Sequence, residues 1–243
     1  MYWVTCHFRG HNVGVAERAL NGEEVVRTAL ALLDEVGLRG FTMRALAGRL
    51  GTYPATIYWH VGNRTDVLSA MNGRVLDEMV REIPDPASTV WDEWLVETAR
   101  AYRRAMQAHP ALATWAVTHF EARVPVPYFL ERVVSVLSGA GFRGAQLVAA
   151  YNAYLGSLVG WIGMELISED PEVGSDPEQM KASIDDLSAE RYPTIVANLD
   201  NLADRAFTFR WHGGVSNPLD DAFEFALATW VEGLRAMLPP RVH

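Results

Sequence analysis

The run Phe41-Thr42-Met43-Arg44-Ala45-Leu46-Ala47-Gly48-Arg49-Leu50-Gly51-Thr52-Tyr53-Pro54-Ala55-Thr56-Ile57-Tyr58-Trp59-His60 decides the fold. Thr42 has the side chain of a helix cap, and the helix it would open carries Ala45, Leu46 and Leu50 on one face. Gly51 closes that helix, because a left-handed stop suits glycine best. A second short helix is expected from Pro54 to Trp59, proline being tolerated in a first turn. Two helices joined by a tight glycine turn form the unit that presents one helix to a DNA major groove.

The side chains on this unit suit that task. Thr52, Tyr53, Thr56, Tyr58, Trp59 and His60 can hydrogen-bond phosphates or base edges and pack on thymine methyl groups. Arg44 near the start of one helix and Arg64 at the start of the next add cations where helix N-termini already favour a phosphate. Leu46, Ala47, Leu50 and Ile57 read as core, and Tyr58 as half core. His60 reads equally as a helix cap or as a DNA contact.

Upstream, Asn21 with Glu24 three residues later has the form of a capping pair. Val25, Val26, Ala29, Leu30, Leu33 and Val36 then recur at helical spacing, and Gly37 supplies a stop. Downstream, Asn63 to Arg81 predicts a longer helix through Val67, Leu68, Met71, Val75 and Met79. Pro84-Asp85-Pro86 breaks both helix and composition, which sets the expected domains at 1–19 (an N-terminal extension), 20–82 and 83–243. Arg9 and Arg18 allow the extension to be either a minor-groove arm or a disordered tail.

Charge distribution matters more than net charge. The chain of 243 residues carries a formal −9, yet residues 1–81 hold nine Arg against eight acids. Val36 to Thr65 contains Arg39, Arg44, Arg49 and Arg64 and no acid. A surface that meets DNA phosphates needs such local asymmetry, and an acidic remainder keeps the rest of the protein off the duplex.

Beyond residue 83, helical patterns recur at 91–108, 111–122, 127–139, 143–167, 188–205 and 218–238, with no strand alternation, so the chain is expected to be all-α. The acidic stretch Ser168–Asp186, with prolines at 171 and 177, reads as a loop. Between Arg143 and Glu165 no residue is charged, close to the ~20 residues a bilayer needs. Gln146, Asn152, Ser157 and four glycines favour a packed helix over a membrane span. With one cysteine, Cys6, no internal disulfide is possible. Met1–Gly10 lacks a signal-peptide apolar run, so the protein is read as cytoplasmic.

Two stripes suggest association. Ala149, Ala153, Gly156, Gly160 and Gly163 form a stripe of small residues at heptad-like spacing, and Phe223, Leu227, Trp230, Leu234 and Met237 form a bulky one. They suit either a four-helix interface between two copies or the core of one copy. The middle helices are rich in Trp94, Tyr102, Met106, Trp115, Phe120, Phe129, Tyr151 and Trp161, with His119 and Asn152 among them. That mixture suits an apolar cavity with a few polar groups, and equally an ordinary core.

The segments Leu20-Asn21-Gly22-Glu23-Glu24-Val25-Val26, Ala29-Leu30-Ala31-Leu32-Leu33, Phe41-Thr42-Met43-Arg44-Ala45-Leu46-Ala47 and Ile57-Tyr58-Trp59-His60-Val61 resemble, in order and without gaps, the DNA-binding domain of the tetracycline-repressor family. The resemblance implies that Thr42, Arg44, Thr56, Tyr58, Trp59, His60 and Arg64 lie where the family meets operator DNA. It also implies a homodimer, with the two stripes at its interface, and a small apolar or amphipathic effector held by the middle helices. Trp115 to Pro127 lacks the Thr-Arg-Pro turn with which the family's tetracycline sensors bind drug and magnesium, so a different effector is expected, without metal or cofactor. Pro54 and Ala55 imply a different operator. His119 and Glu121, two residues apart, diverge on a helix and do not make a metal site. No nucleophile–base pair and no phosphate loop points to an enzyme. The expected protein is a ligand-responsive regulator of transcription, a repressor by preference. An activator or a ligand-insensitive DNA-binding dimer is the alternative.

Overall fold

The computed structural model describes residues 21–119, 127–166, 176–212, 215 and 218–238. These residues contain helices and turns and no strand. The first unit comprises α1 (Gly22–Gly40), α2 (Met43–Leu50), α3 (Pro54–His60) and α4 (Arg64–Glu82). Its caps are those the residue types dictate. Asn21 accepts a hydrogen bond from the Glu24 amide at 2.7 Å and Thr42 accepts from Ala45 at 3.1 Å. Asn63 and Asp66 close a reciprocal capping box at the start of α4. Gly37 breaks α1 with φ 67, and Gly51 ends α2 in the left-handed region with φ 64. Leu33, Phe41, Leu46, Ile57, Leu68 and Met71 form the buried centre of this unit.

The second unit comprises α5 (Trp91–Ala108), α6 (Pro110–Thr118), α7 (Pro127–Ala140), α8 (Gly144–Leu166), α9 (Pro177–Asp185), α10 (Pro193–Val196), α11 (Leu199–Leu202) and α12 (Asp220–Ala236). The two units share one continuous core: α1 packs on α6, and α4 packs on α5, α6 and α7. By length and composition α8 could cross a bilayer. Here it packs against α5, α6, α7 and α12, burying Ala150, Tyr154, Leu158, Ile162 and Glu165.

Two stretches differ from the sequence expectation. The helix expected over 188–205 is replaced by two single turns, α10 and α11. Pro193 interrupts the stretch, and Asp204, at φ 56, ends it by accepting hydrogen bonds from the Trp211 and His212 amides, both at 3.0 Å. The stretch read as a loop contains α9, opened by Asp176, which accepts from Glu178 at 3.1 Å, with Pro177 in the first turn.

Candidate nucleic-acid interface and effector domain

α3 turns one side chain fully inward, Ile57, and presents the rest outward. Tyr53 is 80% exposed, Trp59 79% and Tyr58 50%, so three large aromatic surfaces stand in water on or beside one short helix. Thr56 and His60 are half-buried. The His60 ring meets Trp59 edge-on at 4.8 Å and braces it. The cap of α3 is instead the Val61 amide, which donates to the Ile57 carbonyl at 2.9 Å. Thr42 is exposed at the start of α2 with its oxygen engaged as the cap.

The arginines of the acid-free stretch have different surroundings. Arg44 is exposed, with no partner among the described residues, and stands in the first turn of α2. Arg49 instead forks onto Glu35 of α1 at 2.6 and 2.5 Å, and its guanidinium holds that carboxyl below the usual carboxylate range. Arg64 is half-buried and reaches back to the α1–α2 connection. Its Nε donates to the Phe41 carbonyl at 3.1 Å and its Nη2 to the Leu38 carbonyl at 2.8 Å. The sequence could not show either partnership, because both run between helices.

In the second unit the expected effector residues separate into groups. Trp94 is fully buried and donates its indole N–H to the Pro84 carbonyl at 2.9 Å, so it anchors the α4–α5 connection. Asn152 lies exposed on the outer face of α8, beside Ala149, Ala153 and Gly156, away from the buried aromatic residues. Met106, Trp115 and Phe129 are buried, and Tyr102 and Tyr151 half-buried. Burial pushes the Tyr102 phenol up to about 12 and raises that of Tyr151. His119 stacks on Trp115 at 5.0 Å, with its ring nitrogen 3.0 Å from the Trp115 carbonyl. Trp161 joins Phe207, Phe223 and Trp230 at ring separations of 4.9, 5.9 and 6.2 Å, and its buried indole N–H has no hydrogen-bond partner among the described residues. Phe120 and Glu121 lie outside the described residues. Among the described residues no three His, Cys, Asp or Glu side chains group closely enough to hold a metal.

Long-range polar ties were invisible to sequence reasoning. Arg103 of α5 is held by Glu165 of α8 at 2.9 and 2.6 Å and by Asp220 of α12 at 2.7 Å, and its guanidinium lies 4.7 Å from the centre of the Phe223 ring. Glu165 is fully buried and also accepts from the Leu219 amide at 3.2 Å. Between the units, the Nδ1 of His109, at the α5–α6 corner, lies 2.9 and 3.1 Å from the carboxylate oxygens of Asp34 on α1.

The two stripes part company. Ala149, Ala153, Gly156 and Gly160 are exposed along α8, and Gly163 is half-buried, its Cα side close to Val117. In contrast, Phe223, Leu227 and Leu234 of the bulky stripe are buried within this chain and Trp230 is half-buried. The first four members of that stripe follow the face of α12 that packs on α5 and α8, whereas Met237, past the helix end, is exposed. The outward face of α12 carries Ala222, Phe225, Thr229 and Gly233 instead, with Phe225 76% exposed.

A helix-turn-helix with an aromatic outward face, joined to a larger helical unit, defines a class of DNA-binding regulators. Comparison with known proteins specifies it. A model described as "Bacterial regulatory proteins, tetR family" matches residues 25–71, and one described as "Tetracyclin repressor-like, C-terminal domain" matches residues 83–238. The chain belongs to the tetracycline-repressor family of transcriptional regulators, with a DNA-binding and a ligand-binding domain. It is 28% identical over 217 residues to the class A tetracycline repressor protein from transposon 1721 of Escherichia coli, covering 88% of this chain and 90% of that one. It is 27% identical over 191 residues to an HTH-type transcriptional regulator of Saccharopolyspora erythraea, covering 79% and 80%. Among solved structures, ActR of Streptomyces coelicolor in complex with actinorhodin superposes with a TM-score of 0.68 at 29% identity, over 89% of this chain and 97% of that one.

Proposed function

We propose that the chain is a cytoplasmic repressor that binds a palindromic operator as a homodimer and leaves it when an uncharged, aromatic effector enters the second unit. The observation that carries this reading is the pairing of two exposed surfaces on one fold, the aromatic face of α3 and the small-residue face of α8. Large aromatic side chains left in water are costly unless a partner covers them. Duplex DNA suits Tyr53, Tyr58 and Trp59, with Arg44 as the adjacent cation. The α8 stripe lets a second helix approach closely, and Phe225 on the outward face of α12 is the bulky element that would fill it from a second copy. Dimerisation would set two α3 helices about one DNA turn apart.

The effector reading rests on chemistry and on kinship. Tyr102 stays a neutral hydrogen-bond donor across the physiological range, and the buried charges Arg103 and Glu165 satisfy each other. What remains for a ligand is aromatic surface with neutral polar groups, and a relative of the same fold is solved in complex with a small molecule, actinorhodin. Coupling would run from α6 to α1 through His109 and Asp34, and through α4, the last helix of the first domain of this reading (20–82), which packs on α5, α6 and α7 of the second (83–243). Only a ligand with different affinities for two conformations can act this way.

The test is a titration against duplex DNA from upstream of the coding region beside a scrambled duplex, at several salt concentrations. At least hundredfold preference for the upstream duplex supports the reading. Absence of binding to any DNA by the folded dimer would refute it.

A further inference from the structure

We propose that Arg64 is a positioning residue for operator reading: its guanidinium fastens the turn between α3 and α4 to the end of α1, and so sets the angle at which α3 presents Tyr58 and Trp59. The inference rests on the DNA-binding function.

α3 has seven residues and a single fully buried side chain, Ile57. One apolar anchor does not fix the rotation or tilt of so short a rod, so its orientation depends on how its ends are held. The C-terminal end runs through Val61 and Gly62 into Asn63 and Arg64 within four residues. Gly62 takes φ 113, and the capping box locks Asn63 to Asp66. The next link is Arg64 itself, the first residue of α4. Its Nε and Nη2 take separate carbonyls, Phe41 at the C-cap of α1 and Leu38 in its last turn. These carbonyls follow the break at Gly37, where the helical ladder can no longer satisfy them all. The cation also favours a helix C-terminus, and it lies 5.8 Å from the centre of the buried Phe41 ring. A planar fork can hold two carbonyls in fixed directions at once, which a lysine ammonium on a flexible stem cannot.

This arrangement separates two roles that an arginine at this place can play. A phosphate contact needs only charge, so lysine would serve. A positioning fork needs shape, so lysine would not.

The experiment uses the full-length protein as wild type, Arg64→Lys and Arg64→Gln, each titrated with the upstream and scrambled duplexes from low to high salt. Circular dichroism confirms the helical content of each variant. Positioning predicts that both variants lose upstream-over-scrambled discrimination by about tenfold, the weight of one base contact, with the salt slope and scrambled-duplex affinity unchanged. The inference is overturned if Arg64→Lys matches wild type while Arg64→Gln lowers the salt slope by about one per site, as loss of a phosphate contact would. It is equally overturned if either variant loses helical content, or if both duplexes weaken together. Failure of wild type to prefer the upstream duplex would instead strike at the operator-binding reading, whatever the variants do.

Discussion

The two halves of this molecule are held together in different ways. In α1–α4 each helix start with a side-chain cap is closed by a residue two or three positions away: Asn21 on Glu24, Thr42 on Ala45, and Asn63 on Thr65 and Asp66. In α5–α12 the prominent ties join residues far apart in the chain. Arg103 meets Glu165 and Asp220, Arg100 forks onto Glu224, and Arg235 reaches Asp92. The difference follows from the work proposed for each half. A reading unit must keep its shape before and after DNA binds, and local caps together with the Arg64 fork hold that shape from within the unit, without reference to the second half. An effector domain must have two arrangements close in energy, and ion pairs between helices can exchange partners when the helices shift.

The strongest challenge to this contrast is Arg103→Met. Removing one partner leaves Glu165 fully buried and uncompensated, at an expected cost of about 3–5 kcal/mol in chemical denaturation. Adding Glu165→Met should recover most of that loss. A single variant of near wild-type stability would mean that the long-range ties do not hold the second half.

Phe225→Asp tests whether the exposed face of α12 meets a second copy. Sedimentation should then show monomers with intact helical content, and operator affinity should fall by about a hundredfold or more as two-site binding is lost. A dimer that survives would move the interface elsewhere.

Trp59→Ala addresses the reading face. With 79% of its surface in water, its loss should leave the melting temperature unchanged. Operator affinity should drop by about tenfold or more in a binding titration.

The smallest expected effect concerns acid. The Arg100 guanidinium holds the Glu224 carboxyl below the usual range, so its folded pKa lies under its unfolded one. The stability from this pair is present above the unfolded value of about 4.5 and is lost as pH falls through the lower folded value. Glu224→Gln should therefore flatten the acid limb of the stability profile slightly, the pair being partly solvent-screened.

Much of the first half could be read directly from residues. Asn21, Thr42, Gly37, Gly51 and Asn63 punctuate helices through interactions with their own neighbours, and those appear in sequence as spacing. The same reasoning failed where a residue's partner was remote. Arg64 and Arg49 read as free cations in an acid-free stretch, yet Arg64 reaches Leu38 and Phe41, and Arg49 finds Glu35 just outside the window. The buried Trp94 and the exposed Asn152 are not told apart by composition, because helices here carry apolar residues on both their inner and outer sides. For the same reason the bulky stripe of α12 suits an interface and a core equally in sequence, while the structure buries Phe223, Leu227 and Leu234 within the chain.

From the sequence alone followed the all-α class, the turn–helix unit with its caps, and the family, since each depends on short-range spacing and on residue types that carry a fixed backbone preference. The tertiary structure alone decided that Arg49 and Arg64 take partners within the protein while Arg44 stands exposed, which face of α12 meets water and which buried charges pair. Those outcomes depend on how helices far apart in the chain are rotated against one another, and a rotation of one helix leaves no trace in local sequence.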